Sequence, residues 1–369
     1  MKLALHYRSS LRDTLLMRIF KRRWTAIMLS VLCPLSCAVS ADWITMPTEG
    51  YPKKRDDILF VTAQSGFYGT GKGRLFHTDD GGDSWKLIWE NPKTFIRSLG
   101  FIDDKNGFFG NLGVGVGNVS DPNPLYRTTD GGATWHAVDL EGANIAGVCA
   151  IDILKARAIY EGAARQRIII HAAGRANGPA QLIRSEDGGE TWSMIDLSER
   201  AGMILDVKFV DPNTGFVFAG TSSDLAQSNA LILRTRNGGR TWQEVYRSKR
   251  PQEIIWKAAF PGGRVVYATI QSNDSSNVQQ RLVKSIDGGQ HWSELPLVQN
   301  AEAEEFGIGF TDASHGWIGT AIGGYETVDG GSHWRVSTLA PKANKIRTRT
   351  VYGTTLIYAI GSAVQIYRP

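Results

Sequence analysis

The chain has 369 residues, 42% of them hydrophobic and 21% charged, with 41 glycines and 11 tryptophans. Many turns and many flat packing surfaces in a chain of this length exclude a helical bundle or a disordered polypeptide and point to an all-β domain. The formal charge of +5 sits at the start: residues 1–41 hold seven of the 41 basic residues and one of the 36 acidic ones, so the rest carries 34 against 35 and no nucleic-acid partner is expected.

In chain order, the first predicted element is an export signal. Lys21-Arg22-Arg23 is its positive region, and Thr25 to Leu35 is an apolar run too short to span a bilayer. Val39-Ser40-Ala41 places small residues at a cleavage site. A cleavable signal peptide over 1–41 is predicted, followed by one domain over 42–369, exported to a periplasmic or thylakoid-lumen-like compartment. Met17 begins a segment that would serve as a signal by itself, and an uncleaved signal anchor is the competing reading. Cys33 and Cys37 fall within the signal, which leaves Cys149 alone. No internal disulfide is predicted, and Cys149 reads as a buried small apolar residue.

From residue 78 onward one eight-residue phrase recurs six times. Its copies are Thr78 to Trp85 (TDDGGDSW), Thr128 to Trp135 (TTDGGATW), Ser185 to Trp192 (SEDGGETW), Thr235 to Trp242 (TRNGGRTW), Ser285 to Trp292 (SIDGGQHW) and Thr327 to Trp334 (TVDGGSHW). Successive tryptophans are 50, 57, 50, 50 and 42 residues apart, a period that signals repeated supersecondary units. Each copy follows an alternating strand. Gly-Gly supplies backbone angles that a side chain would forbid, and the preceding carboxylate can accept bonds from the turn's own amides. Asp80, Asp130, Asp187, Asp287 and Asp329 hold that place, with Asn237 in the fourth copy. A turn cap tolerates Asn; a metal ligand or catalytic acid generally does not. Each Trp is expected to open the next strand and to offer its face to a neighbouring unit.

Between the boxes lies a second phrase: Phe101-Ile102-Asp103 with Gly107-Phe108, Phe209-Val210-Asp211 with Gly215-Phe216, and Phe310-Thr311-Asp312 with Gly316-Trp317. It reads as strand, turn, strand. With the box hairpin it makes four strands per repeat, a propeller blade. At the ends, Thr355 to Ile360 and Ala363 to Tyr367 lack a box, whereas Asp42-Trp43-Ile44-Thr45 resembles the piece that follows one. The N-terminal strand is therefore predicted to complete a seventh blade and close the ring. Blade divisions are expected near Trp43, Trp85, Trp135, Trp192, Trp242, Trp292 and Trp334.

These residues resemble the Asp-box (BNR) repeats of sialidase-type propellers. The order of the two phrases is more similar still to the photosystem II stability/assembly factor family, over essentially all of 42–369. That resemblance implies a seven-bladed, exported, non-enzymatic propeller that binds a protein partner and assists an envelope or membrane complex. A carbohydrate ligand and a sialidase-like or other glycoside hydrolase activity form the alternative.

Catalytic and cofactor motifs are sparse. Arg97 lacks the Arg-Ile-Pro context of a sialidase arginine, and Tyr325-Glu326 run straight into the sixth box. Asp206, Glu302, Glu304 and Glu305 are carboxylates that sequence alone cannot pair across a cleft. Gly66 to Gly73 nearly spells a phosphate loop, but a strand rather than a helix follows. His77, His136, His171, His291, His315 and His333 lack metal-ligand spacing, so no metal and no cofactor are expected. What remains is a candidate binding face. Aligning the repeats on Phe60, Phe101, Phe209, Phe260, Phe310 and Val351 brings unlike residues to the starts of the inner strands. They are Asp56, Arg97, Asp206, Lys208, Trp256, Lys257, Glu305, Arg347 and Arg349.

Overall fold

Each repeat folds as four antiparallel strands laid side by side in chain order. Blade 4 is typical: Met203–Phe209, Gly215–Gly220, Ala230–Thr235 and Gln243–Arg247. A computed structural model of the protein describes residues 42–53, 55–160, 163–351 and 354–368, with backbone alone for 158–160, 163–165, 305, 306, 351 and 354. The predicted signal peptide lies outside the described residues. Seven such sheets are present, and their first strands touch one another in a closed ring: Arg55–Phe60, Ile96–Phe101, Ala150–Tyr160, Met203–Phe209, Glu253–Ala259, Glu305–Phe310 and Lys345–Val351. The fold is a seven-bladed β-propeller. Burial follows position: every residue of Arg55–Phe60 is buried, whereas none of the outermost strand Lys86–Glu90 is.

Closure runs as predicted. Asp42–Thr45 pairs antiparallel with Val364–Arg368, so the last blade is built from both chain ends. Trp43 is buried against Trp317 of blade 6 and Tyr367 of blade 7, with ring centroids 5.6 and 5.5 Å away.

Both sequence phrases acquire physical reasons. In the second, Asp103 takes the amides of Lys105 and Asn106, capping the turn between first and second strands. The glycine after that turn leaves room for the aromatic ring before it: a Cβ on Gly215 would lie 2.5 Å from the Phe209 ring. The next residue begins a series. Phe67, Phe108, His171, Phe216, Tyr267 and Trp317 occupy one place in blades 1 to 6. Three of these rings stack on the inner-strand Phe of the following blade: Phe67 on Phe101, His171 on Phe209 and Tyr267 on Phe310. Such pairs contribute about 0.5–1.5 kcal/mol beyond their area burial.

In the box, Asp80 Oδ1 accepts the Ser84 amide at 2.9 Å, and Oδ2 accepts the Ser84 hydroxyl at 2.6 Å. Gly81 and Gly82 both have positive φ, and the Gly81 amide donates to Gln64 O, tying the box to the turn between the first two strands. In the fourth copy Asn237 Oδ1 still accepts the Thr241 amide, and Nδ2 donates to the Thr241 hydroxyl, reversing that bond.

One expectation is refined and one corrected. The box tryptophans mostly stack on rings of their own blade, Trp85 on Phe60 and Tyr68, Trp242 on Phe209, Trp334 on Phe310. They also share core clusters with a neighbouring blade, Trp85 with Tyr358 and Val364 of blade 7 and Trp334 with Tyr267 and Leu282 of blade 5, as expected. In Trp135, Trp192 and Trp242 the indole N–H donates to the box's own second glycine. Trp192 stacks on Phe108 of blade 2. Blades do not divide at the tryptophans. The box joins the third and fourth strands, so the division falls after the strand that follows the Trp.

Candidate functional site: the axial cavity

The inner strands are held together by side chains that reach the next blade. Asp57 accepts the Leu99 amide of blade 2 at 2.8 Å, and Asp206 accepts the Ala258 amide of blade 5 at 3.3 Å. Asp152 makes the same kind of bond two places further along its strand, to the Phe209 amide of blade 4 at 2.8 Å, and pairs with Lys208 at 2.6 Å. The densest junction joins blade 7 to blade 1. Arg347 binds both oxygens of Asp57 and the Leu99 carbonyl, Lys345 binds Asp57 at 3.0 Å, and Arg349 donates to Phe60 O at 2.7 Å. Burial by itself would raise the Asp57 carboxyl; the Arg347 and Lys345 cations outweigh it and hold Asp57 below the usual carboxylate range. Burial, with Arg347 beside it, lowers the Lys345 ammonium to about 8.

The candidate residues separate into two groups. Arg97, Trp256 and Lys257 belong to a cluster outside the cavity lining. Arg97 pairs with Asp56 at 2.7 Å and lies 4.9 Å from the Trp256 ring; the Trp256 N–H donates to Asn344 at 3.3 Å; Lys257 is buried and donates to Leu205 O. These contacts join blades 1, 2, 4 and 5 and the loop before blade 7, and Trp256 reaches across the axis. At the starts of the inner strands, side chains from opposite blades thus converge and contact one another.

Asp206, Lys208, Arg347 and Arg349 line a cavity of about 530 Å³. It is walled mainly by the second halves of the inner strands, which lead toward the turns that carry the boxes. The Glu305 side chain lies outside the described residues. Sequence reasoning missed Lys155, Asp152 and Lys345, which also line the cavity, and Asp57 behind it. An Asp three places before the inner-strand Phe occurs in both blade 1 and blade 4, a usable signal; blade 3 has no Phe there to align on.

Of the carboxylates weighed for hydrolysis, Asp206 accepts backbone amides, and Glu302 and Glu304 are exposed outside the cavity lining; Asp152, bonded to the Phe209 amide, is a further carboxylate in the wall. Glu326 is engaged by His315 at 2.8 Å and Arg335 at 2.9 Å. Gly66–Thr70, in the glycine-rich segment, is a strand of blade 1.

Comparison with known proteins agrees with this architecture. The BNR/Asp-box repeat model matches residues 126–137. No curated protein matches the sequence. Among solved structures the chain is similar to YCF48 bound to D1 peptide, at 15% identity and TM-score 0.60, covering 89% of this chain and 94% of that one. It is similar to YCF48 from Cyanidioschyzon merolae at 15% identity and TM-score 0.64, covering 89% and 99%. It also resembles the GH74 enzyme of Niastella koreensis at 15% identity and TM-score 0.59, covering 84% of this chain and 51% of that enzyme. At these identities the likeness is one of fold.

Proposed function

We propose that the protein is an exported binding propeller that holds a protein partner and serves as an assembly or stability factor for an envelope or membrane complex. The observation that carries this reading is the first hairpin of blade 3. Ala150–Tyr160 pairs with Ala163–Ala173 over eleven residues, where the other inner strands have six or seven. The third strand, Gln181–Ser185, pairs only with Ile170 to Ala173. The hairpin thus runs beyond its blade as a two-stranded arm beside the cavity, and Lys155 on it lines that cavity. Past Ile168, whose carbonyl accepts the Gly188 amide, the two strands pair only with each other among the described residues, and such a pair is a natural docking element. A propeller of similar fold solved with a bound peptide supports the same reading. The hydrolase alternative draws on the GH74 likeness but needs two free carboxylates, and both cavity aspartates are engaged in holding blades together.

The test is capture from the native envelope with the tagged protein. Arg157→Glu combined with Gln166→Glu alters two facing positions of the arm. Loss of the captured partner at an unchanged melting temperature is expected; equal capture would overturn the arm as the docking element. N-terminal sequencing of the exported protein should begin at Asp42, and a mature chain that retains Met17 would overturn the cleavable signal.

A further inference from the structure

The cavity wall carries more positive charge than the protein uses to hold itself together. Five cations line it, Lys155, Lys208, Lys345, Arg347 and Arg349. Two carboxylates line it, Asp152 and Asp206, and a third, Asp57, lies directly behind. Lys208 is neutralised by Asp152, and Lys345 and Arg347 converge on Asp57. Among the described residues, neither Lys155 nor Arg349 forms an ion pair. Arg349 makes one bond, to a backbone carbonyl, and Asp103 sits close enough to Lys155 to feel its charge without pairing with it. Asp206 is occupied by the amides of Val207 and Ala258.

Two further features make this more than a basic surface. The cations line a recess of about 530 Å³ on the axis rather than an open face, and Arg97, Trp256 and Asn344 contact one another across the ring at the starts of the inner strands. A concave site with low-dielectric walls focuses the field of fixed charges and weakens screening by salt. The cations also come from different blades, Lys155 from blade 3, Lys208 from blade 4 and Arg349 from blade 7, so they converge on one volume from several directions. Convergent cations around a volume of this size match a small ligand rather than a polymer lying on a surface.

We propose that the cavity is a binding site for a small ligand bearing a doubly charged oxyanion group of the phosphate type. Lys155 and Arg349 supply the two uncompensated charges, and the Arg349 guanidinium keeps N–H groups to offer beyond its bond to Phe60. The site shares Lys155 with the arm, but the two readings fail separately: anion binding is read on the purified protein with Lys155 variants, and partner capture with Arg157 and Gln166 variants that leave Lys155 intact.

The experiment is isothermal titration calorimetry of the full chain with inorganic phosphate, pyrophosphate and, as the carboxylate counterpart, succinate, each against sodium chloride of equal ionic strength. Saturable one-to-one binding of phosphate or pyrophosphate is expected, with chloride silent. Lys155→Gln should weaken it about tenfold and Lys155→Glu should abolish it; Lys155 is exposed and carries no structural bond among the described residues, so both variants should fold. Arg349→Gln should act alike, and if it lowers the melting temperature the Lys155 variants carry the test. Succinate alone binding would overturn the phosphate assignment. Absence of any saturable anion binding, or binding unchanged by Lys155→Glu, would overturn the site.

Discussion

The six boxes and the wall of the channel use the same kind of side chain in opposite ways. A box aspartate closes its bonds within its own turn: Asp187 accepts from Ser185, Glu190 and Thr191, all within four residues. A wall aspartate closes them in neighbouring blades: Asp57 meets Leu99 of blade 2 and Arg347 of blade 7, and Asp152 meets Phe209 of blade 4. The box fixes a hairpin that its blade would form around its packed core in any case, whereas the wall fixes how one blade sits against another. Damage to a box should therefore stay local and small, and damage to the wall or to the closing strand should reach the whole ring.

The largest effect is expected from deleting residues 42–46. This removes the outermost strand of blade 7, the buried ring of Trp43, and the Met46 amide bond to Val364 O, and it exposes the edge of Val364–Arg368. Loss of a buried Trp by itself costs about 3–5 kcal/mol, a large share of the 5–15 kcal/mol or so that stabilises a typical domain. A sharply lower melting temperature with aggregation by light scattering is expected. An unchanged melt would mean that the strand merely decorates the ring.

Next in size is Asp57→Ala. It leaves the part-buried cations Lys345 and Arg347, and the Leu99 amide, without their buried acceptor at the junction where the ring is joined. Removing one partner of a buried charge cluster costs about 3–5 kcal/mol. Asp57→Asn keeps an acceptor and should fall between Ala and the native protein in thermal melts. A melt for Asp57→Ala no worse than that of a box variant would erase the distinction between wall and box.

This contrast also decides what could be read from the sequence. Blade number, the box turns and the closing strand repeat a local pattern, so periodicity reveals them. The wall bonds span 42 residues from Asp57 to Leu99 and 57 from Asp152 to Phe209; the Asp before the inner-strand Phe repeats only in blades 1 and 4, and blade 3 shifts it by two places, so the pattern is faint. Trp256 and Arg97 were picked out because they break the pattern, but that they meet across the axis depends on which blades face each other. Lys155 stayed hidden because blade 3 lacks the Phe on which the other blades align and runs its first hairpin beyond the usual turn.

His171 sharpens the comparison from the side of the blade interface. The equivalent ring is Phe or Tyr in blades 1, 2, 4 and 5, yet here a fully buried imidazole stacks on Phe209 with neither ring nitrogen hydrogen-bonded among the described residues. Burial, with Arg184 and Lys208 nearby, pushes its pKa well below the usual value. The sign follows: below about pH 6.5 the unfolded chain takes up a proton that the folded protein refuses, so stability falls as pH falls. His171→Phe removes that loss. Thermal melts should show a gain of about 2 kcal/mol at pH 5 and a smaller one at pH 7.5. An equal effect at both pH values would mean that the imidazole is not held neutral.

The smallest effect belongs to the box itself. Asp187→Ala removes the acceptor for the Glu190 and Thr191 amides, but both are at the surface and can turn to water. The cost is that of a turn cap, about 1 kcal/mol. Asp187→Asn should cost less, because Asn237 already holds the fourth box with the same amide bond and a reversed hydroxyl bond. The pH dependence gives an independent check. Slight burial works against the Asp187 carboxylate, but the Thr191 hydroxyl and amide and the Ser185 hydroxyl hold its pKa at about 2. A depressed carboxyl stabilises the fold fully above its unfolded value near 4, and that contribution disappears as pH drops through about 2. The deficit of Asp187→Ala should therefore be constant from pH 5 to 8 and shrink only in acid. A deficit as large as that of Asp57→Ala, or equal melts for the Ala and Asn variants, would show that the box acts beyond its own hairpin.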